Sequence, residues 1–357
     1  MGNRIWSAYR SSKSSKQAKV VTVSTTAVNH ASTLQLPNAQ QRPAPDPSLR
    51  GVDLLEDLGF HVLVDGSGLH RLTHSTSNET ITELNFSRYV ASGNMYNSVA
   101  LGCMQYCHDK FDLETVETAS GFVLTSKDLC SFDRILVIIN GKGLVQPGIL
   151  ARSSLMKYSF EQGSAWSMIK NASSNGVGVI LLNHNHTSHS FSTKNVKVQF
   201  EELIVPLLEG EKSRGVVFDF VAHSAGGSKL ISNLTSLVKY VTSKNIGKLM
   251  FTDSIHSLRQ ISLHGGLSEE EKEILSKKVV GEDAVYYRSN HEHMSPDKAL
   301  GEVFSVVDNP HDTPAELNHK AYWRGRFGTI RTIYCGTTSH ARTTEMATDE
   351  IIKFLNY

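Results

Sequence analysis

The sequence predicts an α/β protein: a mostly parallel sheet with helices on both faces, preceded by a small hairpin-plus-helix module. Three observations carry this. First, seven short apolar runs recur: FVLTS (122–126), RILVIIN (134–140), GVGVILLN (176–183), VVFDFVA (216–222), KLMFT (248–252), AVYYR (284–288) and TIRTIYCG (329–336). Strands that are nearly continuous in apolar residues, rather than alternating, are those covered on both faces. Second, helical periodicity fills several of the intervals, at 161–172, 195–209, 227–243 and 297–305, and helices between such strands make a parallel sheet. Third, the run VVFDFVAHSAGG (216–227) reads as strand, tight turn and helix.

The bulk properties narrow the classes. At 357 residues the chain can bury a substantial core. A net charge of +1 with 20% charged residues gives no global footprint for nucleic acid. Cys103, Cys107, Cys130 and Cys335 form no CxxC pair and no disulfide framework, which fits a reducing compartment. Cys103 and Cys107, one helical turn apart, read as buried or half-buried thiols. No apolar run has the length of a membrane span and no signal-peptide core opens the chain, so a soluble, non-secreted protein is expected.

In chain order, residues 1–50 read as a disordered basic tail and Pro-rich linker. Arg4, Arg10, Lys13, Lys16, Lys19 and Arg42 precede the first acidic residue, Asp46, among many Ser, Thr and Ala. The same composition is that of a mitochondrial presequence, the alternative reading. Gly2 does not make a myristoylation signal, because Trp6 stands where Ser or Thr is needed. The folded region is expected over 51–357. Within it, 51–118 holds a hairpin, FHVLVDGSGLHRLT (60–73) turning at Asp65–Gly68, and a long amphipathic helix over 86–111. Residues 119–357 hold the main sheet, closed by a helix at MATDEIIKFLNY.

The chemistry is expected beyond the carboxyl ends of the strands. Ser224 stands at the turn of VVFDFVAHSAGG, with Ala222 two residues before it and Gly226 two after. Small residues there let strand and helix approach and hold the hydroxyl of a nucleophile up from the sheet. After RILVIIN, Asn140 leads into Gly141, Lys142, Gly143 and Leu144, a Gly-rich turn whose amides, with that of Ala225, would form an oxyanion hole. After KLMFT comes Asp253, and after TIRTIYC comes the loop ending in His340. The order Ser224, Asp253, His340 is that of the α/β-hydrolase superfamily, with His340 as base and Asp253 as its orienting acid. His256 is a rival base, Asp283, Asp297 and Asp308 are rival acids, and His223 is expected to pack beside the turn. His184, His186 and His189 in NHNHTSHS lack the carboxylate or cysteine that usually completes a zinc site, as do His291 and His293, so neither a metal nor a cofactor is expected.

These blocks, in this order, resemble the Argonaute-binding (Arb) domain family, an α/β-hydrolase branch found alone and appended to fungal histone deacetylases. The resemblance is carried by GFHVLVDGSGLHRLT, FVLTSKDLCSFDRILVIINGKGLVQPGILARS, GVGVILLN, FVAHSAGG, FTDSIHS and CGTTSH, over roughly residues 52–357. It implies the elbow serine at Ser224, the strand-end aspartate at Asp253 and the late histidine at His340. Asn140 departs from the family, which tends to have His-Gly-x-Gly there. The resemblance further implies Argonaute or chromatin-silencing proteins as partners, and a nuclear or cytoplasmic location. No long basic insertion follows the third run, so direct nucleic-acid contact is not implied. Two functions are therefore expected: a serine hydrolase of esters, amides or thioesters, or a non-catalytic scaffold in small-RNA gene silencing.

Overall fold

In the computed structural model the described residues are 48–183, 185, 194–210, 215–242, 244–293 and 295–357. The tail and most of the linker, together with His184, His186 and His189, lie outside them. The strands are β1 (Phe60–Val64), β2 (His70–His74), β3 (Glu114–Thr118), β4 (Gly121–Thr125), β5 (Arg134–Ile139), β6 (Gly178–Leu182), β7 (Val217–His223), β8 (Ile246–Thr252), β9 (Ala284–Arg288), β10 (Val303–Phe304) and β11 (Arg331–Tyr334). β1 and β2 form the expected antiparallel hairpin. The other nine make one sheet in the order β10-β11-β9-β8-β7-β5-β6-β4-β3.

Every pair from β11 through β9, β8, β7 and β5 to β6 is parallel. The periphery is antiparallel: β4 against β6, β3 against β4, and β10 against β11. The FVLTS run is therefore an antiparallel strand, and two edge strands join the seven runs. β3 carries Glu114 and Glu117 among exposed positions, as befits a sheet edge. The expected helix over 297–305 is absent; that stretch is turn followed by β10. Pro296 and Gly301 punctuate it, and Gly301 takes a φ of 93° that a helix cannot hold.

Strand alternation splits the core into two layers. Ile135, Val137 and Ile139 of β5 and Phe218, Phe220 and Ala222 of β7 face one side, where the helices Ala225–Leu234, Glu269–Val280 and Pro314–Phe327 pack. Leu136, Ile138 and Val221 face the other, against the helices Gly93–Lys110, Trp166–Ser174 and Thr343–Leu355. The long helix expected over 86–111 is two pieces, Phe86–Tyr89 and Gly93–Lys110, because Ser92 caps the second by accepting from the Met95 N–H at 3.2 Å. Cys103 and Cys107 are fully buried on it. The helices Glu269–Val280 and Pro314–Phe327 were not expected. Each opens on a capping box, Ser268 with Glu271 and Thr313 with Glu316.

Candidate active site at the carboxyl ends of the strands

Ser224 joins the end of β7 to the helix Ala225–Leu234 with φ 52° and ψ −118°. A non-glycine residue held there stores about 1–3 kcal/mol of backbone strain and persists only when its surroundings fix it. The Ser224 N–H donates to Thr252 O at 2.9 Å and its carbonyl accepts from the Ile255 N–H at 3.1 Å, so β8 and the loop beyond it clamp the turn. The helix sits tightly on the sheet. A Cβ on Gly226 would lie 2.5 Å from Ile139 O and 2.7 Å from Asn140 O, and one on Gly227 would collide with Ser254 Oγ. Ser224 Oγ has no hydrogen-bond partner among the described residues and is part-exposed, which leaves it available to a ligand.

Asp253 follows β8 with a positive φ of 44°, its N–H donating to Tyr287 O at 2.7 Å. His340, beyond β11, opens the short 3-10 helix His340–Arg342. Asp253 Oδ2 is 2.6 Å from His340 Nδ1. The same carboxylate accepts from Ser289 Oγ at 2.9 Å and from the Ser289 N–H at 3.3 Å. Burial pushes the Asp253 carboxyl up, but the hydrogen bonds and charge of His340 and the hydrogen bonds from Ser289 outweigh it and hold it below the ordinary carboxylate range. With the carboxylate accepting, Nδ1 of His340 carries the proton and Nε2 is left as the acceptor.

The rival groups have other partners, except Asp297, which is exposed. His256 is wholly buried, stacked on Phe251 with ring centroids 4.0 Å apart and with Nδ1 2.8 Å from Ser254 Oγ; burial pushes it down to about 3. Asp283 pairs with Lys278 at 2.7 Å and Asp308 with Arg324 at 2.6 Å. His223 is buried and stacked on His340, centroids 4.9 Å apart, with Nδ1 3.0 Å from Thr344 Oγ1. Burial, and the adjacent His340, push it down to about 4. It forms a neutral wall behind the half-exposed His340 ring.

The Gly-rich loop abuts the serine: a Cβ on Gly141 would lie 3.1 Å from Ser224 Cβ. Asn140, fully buried, donates from Nδ2 to Gln146 O at 2.9 Å and closes the loop. Asn185 pins it from beyond β6, accepting from the Gly143 N–H at 3.1 Å and donating to Gly141 O at 2.8 Å. The Gly143 amide is thereby occupied, which narrows the candidate donors to the other loop amides and to Ala225, whose N–H in the first helical turn has no intrahelical partner. Ser289, His223 and Asn185 were not singled out as site residues from sequence. Ser289 and Asn185 lie within two residues of apolar runs and were visible as strand-end residues.

A serine on a strand-to-helix elbow in a mostly parallel sheet, with an acid and a histidine after later strands, defines the class: an α/β-hydrolase fold. Within that class, the Arb2 domain family model matches residues 114–204 of the chain. The match includes the Gly-rich loop and stops short of Ser224, Asp253 and His340.

Among curated proteins the chain is similar to the cotranscriptional regulator ARB2A homolog of Gallus gallus, 28% identical over 43% of this chain and 39% of that protein. It is also 28% identical to a FAM172 family protein homolog of Caenorhabditis elegans, over 37% of this chain and 42% of that one. The chain thus spans about two fifths of the length of these relatives. Solved structures similar to it include an alpha-beta hydrolase from Vibrio vulnificus, at 11% identity and TM-score 0.35, covering 69% of this chain and 82% of that one. A 2-hydroxy-6-oxo-6-phenylhexa-2,4-dienoate hydrolase from Rhodococcus sp. strain RHA1 matches at 10% identity and TM-score 0.35, over 69% of this chain and all (100%) of that one. At such scores the architecture rests on the strand order of the chain itself. Among the described residues no helix is long and apolar enough to cross a membrane.

Proposed function

We propose that this protein is a serine hydrolase of ester, thioester or amide bonds. Ser224 Oγ attacks the acyl carbonyl carbon and passes its proton to Nε2 of His340. Asp253 holds the ring through Nδ1 and stabilises the imidazolium. The oxyanion is received by the amides of Ala225 and the Gly141–Leu144 loop, without that of Gly143. His340 then returns the proton to the leaving group, and water, deprotonated by the same ring, releases the acid and restores the serine. The observation that carries the reading is the 2.6 Å contact between Asp253 Oδ2 and His340 Nδ1, with the His340 ring stacked on His223, the residue that precedes the strained Ser224.

A fluorophosphonate probe tests it. Labelling of the folded wild-type protein at Ser224, abolished in Ser224→Ala, is the expected result; absence of labelling in folded wild type would sink the proposal.

The second reading, a partner of Argonaute or chromatin-silencing proteins in the nucleus or cytoplasm, is favoured by one finding: the Gallus gallus relative is named a cotranscriptional regulator. Affinity purification from nuclear and cytoplasmic extracts distinguishes the roles. Recovery of such proteins equally by wild type and Ser224→Ala supports a scaffold independent of catalysis, and recovery of none by either refutes it.

A further inference from the structure

We infer that the cleft beside the Gly-rich loop is the acyl pocket of this site, and that Arg152 on its wall selects acyl chains that end in a carboxylate. The inference rests on the serine-hydrolase reading and gives that site a substrate class.

The cleft has a volume of about 330 Å³, within the range of small-molecule pockets. Leu101 and Met104 of the helix Gly93–Lys110 form one wall, and Leu144 and Val145 of the loop form the other. The loop therefore has two working faces. Gly141 touches Ser224, while Gly143 to Gln146 line the cleft. Asn140 and Asn185 tie the two faces into one turn, so the cleft and the serine are joined through a single hydrogen-bonded loop. Leu144 is 47% exposed, an apolar side chain left to solvent within the pocket lining. An alkyl chain lying against it would remove that surface from water.

Arg152 sets the specificity. Its Nη1 donates to Asn97 Oδ1 at 3.1 Å, and its guanidinium carbon lies 5.2 Å from the centroid of the Tyr96 ring. Stacking and one hydrogen bond fix the plane of the fork and leave its other donors unspent. Among the described residues no carboxylate pairs with it, although Arg71, Arg134, Arg324 and Arg342 each have one. A pre-positioned guanidinium on the wall of an apolar cleft, with no counter-charge of its own, is complementary to a carboxylate at the far end of an aliphatic chain. The substrates of this class are monoesters or monothioesters of aliphatic dicarboxylic acids.

Two measurements test this, one of them independent of turnover. Calorimetric titration of Ser224→Ala with suberate and with octanoate should show suberate binding more tightly, with the preference lost in Ser224→Ala/Arg152→Gln. In the active protein, the ratio of kcat/KM for the p-nitrophenyl monoester of suberic acid over p-nitrophenyl octanoate should exceed one. It should fall about 10- to 100-fold in Arg152→Gln and by less in Arg152→Lys, the worth of one charge-assisted hydrogen bond. Thermal melting confirms that each variant is folded. Equal binding of suberate and octanoate, or a ratio that Arg152→Gln leaves unmoved, overturns the proposal. Absent probe labelling at Ser224 with suberate-selective binding would refute the hydrolase reading and keep the pocket. Labelling without that selectivity would do the reverse.

Discussion

Two aspartates on adjacent elements of the sheet are both shielded from water, and they are held in opposite ways. Asp219, in mid-strand on β7, is fully buried and accepts from Arg134 Nε at 2.5 Å and Nη2 at 3.1 Å, from the Lys248 N–H at 2.6 Å and from the Tyr357 hydroxyl at 3.0 Å. The β7–β8 register shifts between Phe218 and Phe220, where this carboxylate takes a backbone N–H of the neighbouring strand. Asp253, one residue past β8, has Ser289 and a histidine whose side chain is 52% exposed. The first carboxylate is closed by partners that do not change charge near neutrality and ties the last residue of the chain to the sheet. The second is hydrogen-bonded to an imidazole that meets solvent. Burial of a charge thus serves stability in one place and, under the proposed mechanism, proton transfer in the other, and the difference lies in the partner.

The sharpest way to break the comparison is to exchange each carboxylate for an amide. Asp253→Asn should lower kcat on an aryl ester about ten-thousandfold, because an amide can stabilise the wrong tautomer of His340, while the melting temperature moves little. A loss under about tenfold would place Asp253 with Asp219 as a structural group. Asp219→Asn should instead destabilise the fold by about 3–5 kcal/mol, since Arg134 loses its counter-charge. The urea midpoint should fall while the specific activity of the folded fraction stays near wild type. An unchanged midpoint would show the network to be dispensable.

Acid acts next, at the carboxyl ends of β7 and β8. His223 and His256 are kept neutral by burial, at about 4 and about 3. Their folded values lie below the unfolded value near 6.5, so the unfolded chain takes up protons first. Stability should hold above about pH 6.5 and decline by a few kcal/mol as pH falls towards about 4. Asp253, whose carboxyl is depressed, contributes stability present above its unfolded value near 3.9 and lost only below that, so its loss follows the histidines'. Urea titrations at neutral and mildly acidic pH check this, and His256→Phe, which keeps a ring against Phe251, should flatten the dependence. The smallest effect is expected from Tyr357→Phe, which removes one of the hydrogen bonds at Asp219 and should cost about 1 kcal/mol in the same urea assay.

Much of the architecture was legible because burial writes itself into composition. The seven apolar runs are strands, and the elbow at Ser224 was readable from Ala222 and Gly226, since only small residues admit the approach that Gly226 makes to Ile139 O. The edge strand Glu114–Thr118 was not, because an exposed strand needs no apolar pattern. The helix Glu269–Val280 buries little beyond Leu275 and Val279, and Pro314–Phe327 little beyond Trp323 and Phe327, so their periodicity is faint and only their capping boxes mark them. The stretch 297–305 shows the converse: helical spacing without a helix, overridden by Gly301 and by pairing with β11.

By itself the sequence determined the kind of sheet, the strand-end position of each polar group and the order of serine, acid and histidine, because these follow from local periodicity and turn chemistry. Tertiary structure decided which groups meet. Asp283 and Asp308 find Lys278 and Arg324 only 5 and 16 residues away, whereas the reach of Asp253 to His340 across 87 residues depends on the sheet order β11-β9-β8. So does the arrival of Ser289 on the same carboxylate, and the burial that turns His256 from a rival base into a packed ring. Side-chain neighbours separated by tens of residues are set by strand pairing, and strand pairing is a property of the whole chain.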